Sequence, residues 1–292
     1  MSDVQTIGVI GAGQMGAGIA QVAAGAGARV LLADRELALA ERARTGIAKS
    51  LDRLVAKDKM SADDAAALLP RIEPVGDTAS FGECDLVIEA ATEREEIKRA
   101  IFAEVGARLS PTAILATNTS SIPITRLAQA APDPARFIGV HFFNPVPVMG
   151  LIEVIRGLAT SADTVATVEA WGRTLGKEIV HAFDAPGFIV NRVLMPMLNE
   201  ACFALGEGVA NVRDIDTACR LGLNHPMGPL TLADFIGLDT CLDIVRVLHD
   251  TTGDPKFRPA SLLVKYVEAG WLGRKAGRGF YDYSGSEPVP SR

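Results

Sequence analysis

The chain has 292 residues, 48% of them apolar and 22% charged, with a formal net charge of −6. That length suggests one large or two ordinary domains with enough apolar residues for a sizeable core. The acidic balance argues against a nucleic-acid partner, no apolar run approaches the ~20 residues that cross a membrane, and the four cysteines form no CxxC pair, which argues against a metal site and fits a reducing cytoplasm.

Residues 6–10 read as a short apolar strand, entered directly without a leader-like stretch. GAGQMGAGIAQVAAGAG follows as a turn opening a helix, and RVLLA (29–33) is a second strand ended by Asp34. This β-turn-α-β order is the unit of a parallel sheet. Residues 36–57 are long, charged and helical, and 61–69 form a second helix, so the pair reads as an inserted helical hairpin. The alternation then resumes with a strand at 86–91 and a helix at 95–109. Four-residue spacing predicts Ile97, Ile101, Val105 and Leu109 as the apolar stripe of that helix. A strand at 113–116, a short helix at 122–129 with Pro123 in its first turn, and strands at 137–143 and 151–155 complete the pattern.

Beyond FDAPG the texture becomes helical, with Pro186 fitting a helix start and Leu194, Leu198, Ala201 and Leu205 on one face. The expected architecture is therefore an α/β domain over residues 1–185, then an all-α domain over 186–292. The α/β domain should have a doubly wound, mostly parallel sheet carrying the helical insertion. The closing SGSEPVPSR should be a frayed tail.

Gly11, Gly13 and Gly16 form GxGxxG between the first strand and its helix, with Gln14 and Met15 inside the loop. The first glycine permits a tight turn, the second lets the backbone approach a pyrophosphate, and the third allows close helix–strand packing. Amides at the helix N-terminus supply an anion site. A lone GxGxxG is an ordinary turn as often as a site, but the preceding strand and Asp34 at the second strand's end agree on dinucleotide binding. A carboxylate there can bond a ribose 2′-hydroxyl and would repel a 2′-phosphate, which favours NAD; the neighbouring Arg35 leaves NADP open.

FIGVHFFNPVPVMGLIE (137–153) places a histidine in an apolar strand. If its two strands are antiparallel neighbours folded about Pro147, His141 faces Glu153, with Cβ atoms ~5 Å apart. A carboxylate bonded to an imidazole fixes its tautomer and supports its cation, as a general base needs. The same pair could also be a satisfied core histidine, and spacing alone leaves both readings standing.

The chain resembles the 3-hydroxyacyl-CoA dehydrogenase family, in particular its short bacterial 3-hydroxybutyryl-CoA dehydrogenases. The carrying segments are IGVIGAGQMGAGIAQ, ATNTSSIPIT, GVHFFNPVPVMGLIEVI, PGFIVNRVLMPMLNEA, LGLNHPMGPLTLADFIGLD and GRKAGRGFYDY, running from residue 7 to 283. HFFNPVPVM and NHPMGPL are the specific ones. The resemblance implies a Rossmann-type NAD-binding domain and a helical domain that makes a homodimer. It implies His141 as catalytic base, Glu153 as its partner, and Ser120 and Asn191 on the substrate's 3-oxygen. Without the resemblance, Ser120 reads equally well as a helix cap and Asn191 as a solvated helix residue. The resemblance also implies Ser50 and Lys57 on coenzyme A, with Glu93, Lys98, Asn118, Asn144 and Lys275 around the nicotinamide side.

Ser50 and Lys57 are two helical turns apart, so they should share a helix face, and Lys49 and Lys59 add charge nearby. A solvated, salt-bridged helix is the plain alternative. Two other functions fit the same fold: a CoA-independent NAD-linked hydroxy-acid or sugar-acid dehydrogenase, and a non-catalytic, crystallin-like NAD-binding protein. The related enzymes that use a lysine on the first helix after the boundary are disfavoured, since Asn191 and Arg192 stand there with no lysine nearby.

Overall fold

The computed structural model describes residues 4–291. The chain divides into two compact units, residues 1–185 and 186–292. The first holds an eight-stranded sheet in the order β3-β2-β1-β4-β5-β6-β7-β8. Its elements are β1 (Thr6–Ile10), α1 (Gln14–Gly25), β2 (Arg29–Ala33), α2 (Leu37–Val55), α3 (Ala62–Leu68), β3 (Ile72–Val75), β4 (Leu86–Glu89), α4 (Glu95–Gly106), β5 (Ile114–Thr117), α5 (Ile124–Leu127), β6 (Phe137–Phe142), β7 (Leu151–Arg156), α6 (Ala162–Thr174) and β8 (Glu178–Phe183). Strands β1 to β6 run parallel, β7 is antiparallel to β6, and β8 is parallel to β7. Strand order reverses between β1 and β4, and at such a switch point a crevice opens outside the carboxyl ends of the strands.

Alternation assigns the two faces of the sheet. Ile7 and Val9 of β1, Ile88 of β4, and Ile138, Val140 and Phe142 of β6 share a core with Ile19, Ala20 and Ala23 of α1 and Trp171 of α6. The opposite face carries Phe137 of β6, whose ring stands edge-on to Phe102 of α4 at 5.0 Å. His141 lies on this second side, four residues after Phe137.

Two strands escape the expected pattern. β3 is an edge strand, so Pro74 removes no ladder bond that the sheet needs. β8 is the other edge, and its mixed surface lacks a clean apolar alternation. In α4 the buried residues are Lys98, Phe102, Val105 and Gly106, while Ile97 is exposed. The expected stripe is rotated because Lys98 is drawn inward by a carboxylate. The inserted hairpin is present, but α2 ends at Val55, so Lys57 lies beyond the helix and helical spacing does not place it on the face of Ser50.

The second unit comprises α7 (Val190–Gly206), α8 (Val212–Gly222), α9 (Pro229–Ile236), α10 (Leu238–Thr252), α11 (Ser261–Glu268) and a small pair of strands, β9 (Tyr281–Asp282) and β10 (Val289–Pro290). Pro186 falls in a turn, and the helix begins four residues later at Val190. Leu198, Ala201 and Cys202 of α7 pack with Leu242 and Val245 of α10 and Tyr266 of α11. The expected frayed tail is paired instead: Val289–Pro290 lies antiparallel to Tyr281–Asp282, and Ser291 N donates to Phe280 O at 2.9 Å.

Two carboxylates pin the segment that leads into that pair. Asp234, 1% exposed, accepts from Phe280 N and Tyr281 N, both at 2.9 Å, and from the Tyr283 hydroxyl at 3.0 Å. Asp216 accepts from Leu230 N at 2.7 Å and from the Tyr281 hydroxyl at 2.9 Å. A side chain at Gly279 would collide with the Asp234 carboxylate. Truncating Asp234 to alanine strands these buried donors and should cost about 3 kcal/mol. Urea unfolding of that variant measures it, and a loss below about 0.5 kcal/mol would contradict the clamp.

Candidate functional site

The glycine loop joins β1 to α1 at the switch point. Gly11 has φ +101°, a conformation open mainly to glycine, and its amide donates to Ala33 O at 2.8 Å. A Cβ on Gly16 would overlap the Gly11 carbonyl, so the third glycine lets the helix close on the turn. Nothing lies within 4 Å of a Cβ built on Gly13, the residue that caps α1 without a side chain. The head of α1 thus has room beside Gly13 and no side-chain cap on its amides. This suits a pyrophosphate.

Gln14 is exposed in the first turn of α1, and Met15 packs partly against the core. Asp34 closes β2, and its Oδ2 accepts from Ala12 N of the glycine loop at 2.6 Å. Arg35 turns toward Glu36, with Nε 3.7 Å from its carboxylate.

The β6–β7 hairpin pairs Val140 with Val154, His141 with Glu153 and Phe142 with Ile152. Nδ1 of His141 lies 2.6 Å from Oε2 of Glu153; the imidazole residue is 6% exposed and the glutamate 0%. A carboxylate at this distance accepts a hydrogen bond from Nδ1–H, the tautomer that leaves Nε2 as the acceptor. Phe143 rests against the imidazole, ring centroids 4.6 Å apart. Asn118, just past β5, accepts from Phe142 N at 2.9 Å through its side-chain oxygen, tying the ends of β5 and β6 beside the histidine. Asn144 is exposed two residues after Phe142, at the start of the loop to β7.

A second cluster forms where β4 and β5 end. Glu93 Oε1 gathers the Thr119 hydroxyl at 2.7 Å, Ser120 N at 2.8 Å, the Ser120 hydroxyl at 3.1 Å, and the amide and hydroxyl of Ser121 at 3.1 and 3.0 Å. Its Oε2 lies 3.6 Å from the Lys98 ammonium. Burial works against the Glu93 charge, but Lys98 and then the donors of residues 119–121 outweigh it, and the carboxyl is held below the ordinary glutamate range. Lys98 itself bonds Glu89 at 2.6 Å, with both side chains buried. Glu89 was not among the residues singled out from the sequence. The available signal was a carboxylate closing the apolar strand LVIE at the carboxyl edge of a parallel sheet, where an unpaired charge could not be buried.

The structure therefore brings together His141 with Glu153, and Glu93 with Lys98 and Ser120. Ser50 is half-buried in α2, and Lys57 is exposed beyond that helix, as is Lys59. Asn191 and Lys275 belong to the second unit. Asn191 is buried in the first turn of α7. Lys275 is exposed and bonds Asp239 at 2.6 Å.

Comparison with known proteins gives a family for this arrangement. The family model for the 3-hydroxyacyl-CoA dehydrogenase NAD binding domain matches residues 6–185, and that for the C-terminal domain matches 187–283. A 3-hydroxybutyryl-CoA dehydrogenase of Bradyrhizobium diazoefficiens is 54% identical over 292 residues, covering 99% of each chain. The 3-hydroxyadipyl-CoA dehydrogenase of Escherichia coli is 44% identical, covering 97% of this chain and 60% of that protein. The solved (S)-3-hydroxybutyryl-CoA dehydrogenase of Ralstonia eutropha superposes with a TM-score of 0.94 at 48% identity, over 97% of this chain and all of that one. With both halves matched by the two domain models in order, and with relatives this similar along their length, the chain belongs to the 3-hydroxyacyl-CoA dehydrogenase family.

Proposed function

We propose that this protein interconverts (S)-3-hydroxyacyl-CoA and 3-ketoacyl-CoA with NAD, and that its substrates are short, of the 3-hydroxybutyryl-CoA and acetoacetyl-CoA class. The observation that carries the reading is the buried His141–Glu153 pair, 2.6 Å apart on the same sheet as the glycine loop. Family membership and the names of relatives such as the Bradyrhizobium and Ralstonia enzymes support it.

The residues at the sheet edge fit a dinucleotide. Gln14, Met15 and Gly16, at the head of α1, offer the pyrophosphate their amides beside the turn that Gly11 and Gly13 make possible, and Asp34 is the acceptor for ribose hydroxyls. Bound NAD supplies the hydride acceptor for oxidation. In that direction Nε2 of His141 takes the proton of the 3-hydroxyl. In reduction the imidazolium returns it. Glu153 holds the ring in one tautomer and offsets its charge when protonated. Ser120 turns its hydroxyl proton from Glu93 to the substrate oxygen as charge develops there. Asn191 takes the same oxygen, an assignment that rests on the motif match. Glu93, Lys98, Asn118, Asn144 and Lys275 serve the nicotinamide side, and Ser50 and Lys57 the coenzyme A moiety. A homodimer built on the helical unit and a cytoplasmic location complete the proposal.

Four experiments test it. Purified enzyme should oxidise NADH with acetoacetyl-CoA, prefer NADH to NADPH in kcat/KM, and slow as the 3-ketoacyl chain lengthens; no turnover of any 3-ketoacyl-CoA refutes the activity. His141→Gln should lower kcat about 1,000-fold or more while NADH affinity, read by fluorescence, stays within about threefold. Glu153→Gln should fall between, because it removes orientation and not the base. Retention of more than a tenth of wild-type kcat in the histidine variant rules out His141 as the base. Lys57→Glu should raise KM for the thioester but not for a truncated analogue lacking the nucleotide, and equal effects on both remove Lys57 from the coenzyme A site.

A further inference from the structure

Glu89 ends β4, in register with Ile10 of β1 on one side and Thr117 of β5 on the other. It is wholly buried, yet three donors converge on it: Lys98 Nζ at 2.6 Å and the Thr117 hydroxyl at 2.9 Å on Oε2, and Ala91 N at 2.8 Å on Oε1. Lys98 in turn stands 3.6 Å from Glu93, and Glu93 collects Ser120 and its neighbours. Segment 90–91, which Glu89 holds by the Ala91 amide, is the backbone against which Gly11 lies; a Cβ on Gly11 would sit 2.6 Å from Ala90 O. We propose that Glu89 is a positioning residue for the reaction, orienting Lys98 and Glu93, and through them Ser120, relative to the glycine loop.

The proposal rests on the role given to Ser120 above. A buried ion pair is a poor stabiliser compared with well-packed apolar side chains. Glu93 alone could neutralise Lys98, and its carboxyl is already held in the charged state by that ammonium and the turn's donors. What Glu89 adds is direction. It draws the ammonium to one side of the strand end and leaves Glu93 Oε1 to the 119–121 turn.

A double-mutant cycle in kcat tests this. Glu89→Gln keeps the shape and removes the charge, and should lower kcat about tenfold in the wild-type background. In a Ser120→Ala background the same change should cost less than about twofold, because its route to the substrate is already cut. A further tenfold loss there, or a Glu89→Gln kcat within about twofold of wild type, overturns the assignment. If Glu89→Gln does not fold, Thr117→Val takes its place in the same cycle, with an expected loss of about threefold and the same criteria. Should the wild type turn over no 3-ketoacyl-CoA, the proposed function fails separately. Glu89 is then tested through NADH affinity: non-additive losses in Glu89→Gln and Glu93→Gln support the relay, and additive ones overturn it.

Discussion

An imidazole 2.6 Å from a buried carboxylate exists only if two antiparallel strands hold one register. A slip of one residue along β6 would send His141 to the other face of the sheet, among the side chains of α1 and α6. Several features fix that register. Gly139, two residues before His141, has no side chain, and a Cβ there would stand 2.9 Å from Ile155 across the pair and 2.7 Å from Ile124 of α5. Thr160 donates to Phe137 O at 2.7 Å and so ties the far end of β7 to the start of β6. At the near end Lys177 reaches under the connecting loop to the carbonyls of Val146 and Met149, at 2.8 and 2.6 Å. Burial draws its ammonium below the ordinary lysine range. The loop also rests on α1, where only glycine at position 18 leaves room for Val146. The histidine is thereby tied to the same helix whose N-terminus opens the glycine loop.

Carboxylates do the corresponding work where turns must be held without regular ladders. A carboxylate accepts through two oxygens and donates nothing when ionised, so one side chain can satisfy two adjacent amides. Asp184 takes the amides of Ile124 and Thr125 at 2.8 and 2.7 Å and thus sets α5, against which Gly139 packs. Asp85 takes those of Gln5 and Thr6 at the entry to β1. Glu93 does the same for residues 120 and 121, and Asp34 holds the glycine loop by one amide, that of Ala12. The protein's excess of acidic residues is in part spent on its own backbone.

Much of this was legible in the residues, and the reasons for what was missed are physical. The glycine loop was readable because three separate steric demands fall on three glycines in fixed order. The facing of His141 and Glu153 was readable because an antiparallel pair obeys a simple position sum. β3 and β8 were not, because edge strands escape the two-sided burial that makes inner strands visibly apolar. The stripe on α4 was placed one position off because a lysine is ordinarily solvated. Only a buried carboxylate at the end of the preceding strand, whose burial no local pattern shows, makes it a core residue. Lys57 was assigned to a helix face because composition does not reveal that α2 turns off after Val55, where Asp58 takes a positive φ of 53°. The two clamps on the closing segment involve partners up to 65 positions apart, beyond any local pattern.

The buried carboxylates fall into two kinds, and the difference bears on where chemistry sits. Asp216 and Asp234 take their hydrogen bonds from amides and hydroxyls, donors that keep their protons at any ordinary pH. Burial and the adjoining carboxylates push the hydroxyls of Tyr281 and Tyr283 above the ordinary tyrosine range, so these donors keep their protons near neutrality. Such networks hold shape. Glu153 and Glu89 are instead bonded to an imidazole and an ammonium, side chains whose charge or direction can matter to a reacting group. Both lie in the sheet strands, on β7 and at the end of β4. Burying a carboxylate with a basic side chain is a poor way to stabilise a fold when apolar residues could fill the same volume. Two such pairs within one sheet, beside a loop shaped for phosphate, are therefore better explained by what they orient than by what they stabilise.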